Sequence, residues 1–214
     1  MFNLPESTRV HKVVPKNSFD AYCNSKQKGI FKDKILRITW MNKLSPETVN
    51  LYGNDIDEIQ IFRIELKEKT EIDTVTTVIN KAVPYHIITQ VVFGNEHYIT
   101  TSPKHRHPVN NDNAVIDYTF KSDWFPADSA SYSLSLKNSL DQVYRDFCLQ
   151  FSSDFNTQTK TVHELIELQK SADNLKREIA QLKSAISREK QFNKKLELNI
   201  KLKKLETKYK IITP

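Results

Sequence analysis

Glu65, Leu66 and Lys67 place a carboxylate and an ammonium two residues apart, in a segment rich in β-branched residues. On a strand, positions i and i+2 project from the same face, so Glu65 and Lys67 would share one side. Asp57 or Asp55 lies upstream, and a helical pattern follows from about Ile72. Two carboxylates, Asp57 and Glu65, would hold Mg2+, and Lys67 would stabilise an attacking hydroxide during phosphodiester cleavage. Alternating charge along one face of a half-exposed strand accounts for the same residues without chemistry.

This arrangement is that of PD-(D/E)xK-type nucleases, and it is the only pattern in the chain that spells out a reaction. His105 and His107, beside Lys104 and Arg106, have no Cys or acidic cluster to complete a metal site. Only three glycines are present, Gly29, Gly53 and Gly94, too few for a phosphate-cradling loop. No GxSxG element occurs, and neither Cys23 nor Cys148 sits in a nucleophile motif. Trp40, Trp124, Phe125 and Tyr132 read as core aromatics. No cofactor is expected, apart from Mg2+ under the nuclease reading.

The elements that would position these residues follow from patterning. Val10, Val13 and Val14 form a short strand, and Asn17 or Ser18 caps a helix through roughly Phe31. Ile35–Trp40 is a buried strand, and Ser45-Pro46 starts a short helical turn. Ile59–Lys67 is the strongest strand. A helix from Ile72 to Ala82 follows, with Ile72, Val75, Val78 and Ile79 on one face. His86–Phe93, a Gly94-Asn95 turn and His97–Thr101 make a hairpin. Ser102–Asn113 is a loop, Val115–Phe120 a further strand, and Leu134–Phe151 an amphipathic helix. The fold class is α+β, a small mixed sheet with flanking helices over residues 1–151.

A Ser-, Thr- and Asn-rich linker, 152–161, leads to the clearest periodic signal. With Leu165 at heptad position a, the a positions are Leu165, Ala172, Ile179, Ile186, Asn193 and Ile200. The d positions are Leu168, Leu175, Leu182, Glu189, Leu196 and Lys203, and nine of the twelve are apolar, as a coiled coil requires. No Gly or Pro interrupts 161–213, so one continuous basic helix over 162–212 is expected, about 70 Å long at ~1.5 Å per residue. Its apolar stripe needs a second copy, a partner or its own domain to cover it. Asn193 either fixes register in a buried seam, or the heptad phase slips there and Leu198, Leu202, Leu205 and Tyr209 form a shifted seam.

Charge follows the same division. The stretch 160–214 holds 14 Lys and Arg against 7 Asp and Glu, a balance of +7, so the chain before Lys160 carries −1 of the net +6. A basic helix attracts nucleic acid or an acidic protein face. Lys194, Lys195, Lys201, Lys203, Lys204 and Lys208 are the candidate phosphate contacts, and a solvated helix surface is the plain alternative. The absence of a leader, of an apolar span long enough for a bilayer and of paired cysteines predicts a soluble cytoplasmic protein that does not enter the membrane.

Several blocks carry a family resemblance. They are Leu4-Pro5, Pro15-Lys16 with Phe19, Trp40 through Leu51, Glu58 through Lys67, and Glu189 through Asn199. Together they resemble an uncharacterised bacterial family, a domain of unknown function found near helicase and DNA methyltransferase genes in mobile defence loci. The resemblance extends over the whole chain and brings no catalytic residues with it. It implies a non-catalytic accessory subunit of a helicase- or methyltransferase-containing phage-defence or restriction-type complex. In that role the tail residues Leu165, Leu168, Leu175, Ile179, Leu182, Ile186, Asn193, Leu196 and Ile200 would bind the partner or a second copy. A Mg2+-dependent nuclease and a nucleic-acid-binding protein are the alternatives.

Overall fold

The computed structural model describes residues 2–106, 114–129, 132–152 and 161–213, in two units, 1–151 and 152–214. Most of the expected linker, and with it His107, lies outside the described residues.

In the first unit the chain runs through β1 (Arg9–Val13), α1 (Ser25–Lys34), β2 (Ile35–Leu44), α2 (Pro46–Val49), β3 (Ile59–Leu66) and α3 (Asp73–Ala82). It continues through β4 (His86–Phe93), β5 (Glu96–Thr101), β6 (Lys104–Arg106), β7 (Ala114–Ile116), β8 (Phe120–Lys121), β9 (Phe125–Pro126) and α4 (Leu140–Leu149). One mixed sheet has the order β1-β2-β3-β4-β5-β8, with β9 also paired to β5, while β6 and β7 form a separate ribbon. β3 and β4 are its parallel pair, and α3 connects them. A parallel pair needs a crossover of that kind, whereas the β4–β5 hairpin closes in a tight turn on Gly94 at φ 57°.

β3 explains how the sheet is dressed. Phe62, Ile64 and Leu66 face a core made with Val75, Val78 and Ile79 of α3 and Phe31 of α1. Each such fully buried aliphatic residue contributes roughly 1.5–3 kcal/mol. On the opposite face, Tyr144 of α4 meets Thr101, hydroxyl to hydroxyl at 2.7 Å, and stacks edge-on against His86 at 4.6 Å. Asp141, in the first turn of α4, accepts the backbone N–H groups of Asn54, Asp55 and Ile56 at 2.7, 3.1 and 2.9 Å. A Cβ on Gly53 would stand 2.2 Å from the Ile56 carbonyl oxygen, so only glycine admits this tight loop.

The mixed sheet with flanking helices is as the sequence predicts, and several local elements differ. The helix expected to run unbroken to Phe31 is a 3-10 segment, Lys16–Tyr22, and then α1. The reason is Asn24: its side chain accepts the Gln27 N–H at 2.9 Å while Gln27 reaches back to the Asn24 N–H at 2.8 Å, a reciprocal cap that starts a new helix. The expected loop from Ser102 holds β6, and the strand read over Val115–Phe120 is two strands serving two sheets. α4 begins at Leu140, capped by Ser139, so Leu136 lies outside it.

The second unit contains α5 (Val162–Arg188) and α6 (Phe192–Ile212). One continuous helix over 162–212 is therefore not what the chain forms. Glu189 leaves helical geometry at φ −74° and ψ 128°. Its carboxylate accepts the Gln191 N–H at 2.8 Å, at the positive end of the α6 dipole. A side-chain acceptor at a helix N-terminus does here what Gly or Pro does elsewhere. No helix among the described residues is long and apolar enough to cross a membrane.

Candidate functional site

The nuclease residues are spread along β3. Glu65 is near its C-terminal end and accepts two bonds from Arg37, at 3.1 and 2.9 Å, with Arg63 at 3.6 Å. Lys67 lies beyond the strand and donates its ammonium to the Lys32 carbonyl, in the last turn of α1, at 2.8 Å. Asp57 precedes the strand, and Ile59 to Glu65 alone covers about 20 Å at ~3.3 Å per residue. Asp57 and Glu65 are therefore not brought to one point. Among the described residues no group of three His, Cys, Asp or Glu side chains could hold a metal ion.

The sheet face around Glu65 carries a mostly polar row that sequence reading missed. Arg37, Glu65, Val92 and His97 lie opposite one another on β2, β3, β4 and β5. His97 is 1% exposed, packs against Phe125 at 4.2 Å, and neither ring nitrogen has a hydrogen-bond partner among the described residues. Burial pushes its pKa down, with Arg63 adding to the effect, so the ring sits there as a neutral aromatic. Strand alternation and the β4–β5 hairpin place His97 opposite Val92 on this face, but the charged members of the row, Arg37 and Glu65, come from β2 and β3, which are remote from it in the chain.

A second polar group is buried beside α3. Lys104 donates to the Asn80 carbonyl at 2.7 Å, the Val83 carbonyl at 2.6 Å and the Asn80 side-chain oxygen at 3.4 Å. Three acceptors match the three protons of an ammonium, and two of them are carbonyls at the C-terminal end of a helix, where a cation is favoured. Burial pulls the Lys104 pKa down to about 7, and burial together with Lys104 lowers His86 to about 4. Burial also raises the Cys148 thiol, which lies against Tyr144. Lys104 thus closes a helix end in the way a C-cap does.

The tail builds a different kind of site. As residue numbers fall along α5 they rise along the facing side of α6: Lys183 pairs with Glu206 at 3.0 Å, and the Lys176 ammonium lies 5.5 Å from the Tyr209 ring centre. The two helices are an antiparallel hairpin. Leu175, Ile179, Leu182 and Ile186 are half-buried on α5, and Leu198, Leu202, Leu205 and Tyr209 on α6. The shifted seam is the one that packs. Leu165 and Ala172 are buried and Leu168 is half-buried, near the start of α5.

The original heptad phase on α6 consequently points away from α5. Asn193 is exposed, so it fixes no buried register. Phe192, Leu196 and Ile200, spaced four residues apart, are 78%, 52% and 51% exposed. No residue of α6 is fully buried. Lys194, Lys195, Lys201, Lys203, Lys204 and Lys208 are all exposed. At about 100° per residue Lys194, Lys201, Lys204 and Lys208 share a flank of α6, while Lys195 and Lys203 point elsewhere.

A family model described as Domain of unknown function (DUF4391) matches residues 2–208, both units included. No curated protein and no solved structure matches the chain.

Proposed function

We propose that this chain, which belongs to the DUF4391 family, is a non-catalytic interaction subunit whose helical hairpin docks a partner protein. The observation that carries this reading is the outward stripe of Phe192, Leu196 and Ile200, each more than half exposed on a helix with no buried residue. Large apolar residues aligned on an exposed helix face mark an interaction surface. α6 carries seven lysines against two glutamates, which repels a second copy of itself and attracts an acidic face. The family resemblance supports a helicase or DNA methyltransferase of a phage-defence or restriction-type complex as the partner. A Mg2+-dependent nuclease draws no support from β3, where Glu65 is bound by arginines and Asp57 is at the far end.

The test is purification of the tagged full-length chain from its host, with mass spectrometry of what accompanies it. One helicase or methyltransferase in near-equal amount, lost from Leu196→Asp/Ile200→Asp, is the expected result. Retention of that partner by the double variant, or no stoichiometric partner with the wild type, overturns the reading.

A further inference from the structure

The hairpin consists of two packed helices, α5 and α6. Its seam residues are only half-buried, and between α5 and α6 runs an open groove of about 550 Å³. Leu182, Ala185 and Leu205 form an apolar floor, Lys201, Lys204 and Lys208 line one wall, and Glu178 and Gln181 the other. The three lysines recur at i, i+3 and i+7, which is the repeat of one helix flank. They make no ion pair among the described residues, although Lys183, beside the floor residue Leu182, is paired with Glu206. Glu178 lines the opposite wall without pairing with them, so these ammonium groups are available to carboxylates supplied from outside.

On these grounds we propose that the groove receives a third helix, an amphipathic segment of the partner protein with carboxylates along one flank. This deepens the interaction-subunit reading and rests on it for the identity of the partner, though not for the chemistry of the groove. Apolar residues of the incoming helix would cover Leu182, Ala185 and Leu205, completing a three-helix arrangement and burying seam area that two helices leave wet. Its Asp or Glu side chains at i, i+3 or i+4, and i+7 would meet Lys201, Lys204 and Lys208. Such rim pairs contribute modestly to affinity and strongly to choice of partner and to on-rate. A second copy of this chain is a poor occupant, since it brings another lysine-rich α6 to the same wall.

Binding is measured by fluorescence anisotropy on the full chain with a synthetic helical peptide, about five turns long, that has a leucine face and glutamates on one flank. The comparison probes are the same peptide with glutamine for glutamate and a short DNA duplex of similar length. The glutamate peptide is expected to bind at least tenfold more tightly than the glutamine peptide, with affinity falling as salt rises. Lys201→Gln/Lys204→Gln/Lys208→Gln should remove that preference, and Ala185→Glu, a surface change that keeps the helix, should abolish binding. Equal affinity for the two peptides, or unchanged binding by either variant, overturns the inference. So does displacement of the peptide by the duplex, which would make the lysine wall a phosphate contact. If the host partner survives Ala185→Glu but not Leu196→Asp/Ile200→Asp, the groove inference fails and the interaction-subunit reading stands.

Discussion

The Lys183 ammonium of α5 and the Glu206 carboxylate of α6 meet at 3.0 Å, although they stand on successive helices and far apart in the chain. That pair is an exposed one and adds little energy by itself. Its meaning is geometric, because in a continuous helix the two residues would be about 35 Å apart.

The hairpin can be measured directly. Spin labels on Ala180→Cys and Thr207→Cys, in a Cys23→Ser background, should report a separation governed by the ~8–10 Å spacing of packed helices. The native Cys148 is buried, with its thiol pKa raised by burial, and stays unlabelled. A distance of roughly 40 Å, the separation of these two positions along one uninterrupted helix, would restore the single rod.

The β3 cluster has its own test. Glu65→Ala removes the carboxylate that joins Arg37 to Arg63, and its partly exposed position predicts a fall in Tm of only a few degrees. Millimolar Mg2+ should leave the Tm of the wild type where it is, since a ligand stabilises only the state it binds. A Mg2+-dependent rise that Glu65→Ala removes would instead show metal at this end of the strand.

Lys104 predicts a pH signature. Its pKa in the fold is about 7, below the ~10.4 of an unfolded lysine, so between those values the unfolded chain binds the extra proton. The stability of the wild type should therefore gain a component that rises with pH above 7, by at most about 1.4 kcal/mol per unit. Lys104→Met lacks that component, and it also leaves the Asn80 and Val83 carbonyls without their donor. In urea titrations at pH 7.5, 8.5 and 9.5, the gap between wild type and variant should widen with pH. A constant gap would mean that Lys104 stays charged throughout.

Periodicity and composition alone were enough for the mixed α+β class, the β3-α3-β4 succession, the β4–β5 hairpin and the basic helical tail. These are local quantities: alternation at two residues, recurrence at three and four, and a glycine at the turn. The two apolar phases of α6 were also legible, as Leu196 and Ile200 in one and Leu198, Leu202, Leu205 and Tyr209 in the other. Which phase packs was decided only by the tertiary structure, because it depends on Glu189 ending α5 and turning α6 back. That choice leaves Phe192, Leu196 and Ile200 outside and puts Lys201, Lys204 and Lys208 along a groove. The same holds for Glu65 and Lys67, which a two-residue period aligns. Arg37 binds one and the Lys32 carbonyl the other, and those partners come from β2 and α1, which only the sheet and its helix layer bring within reach.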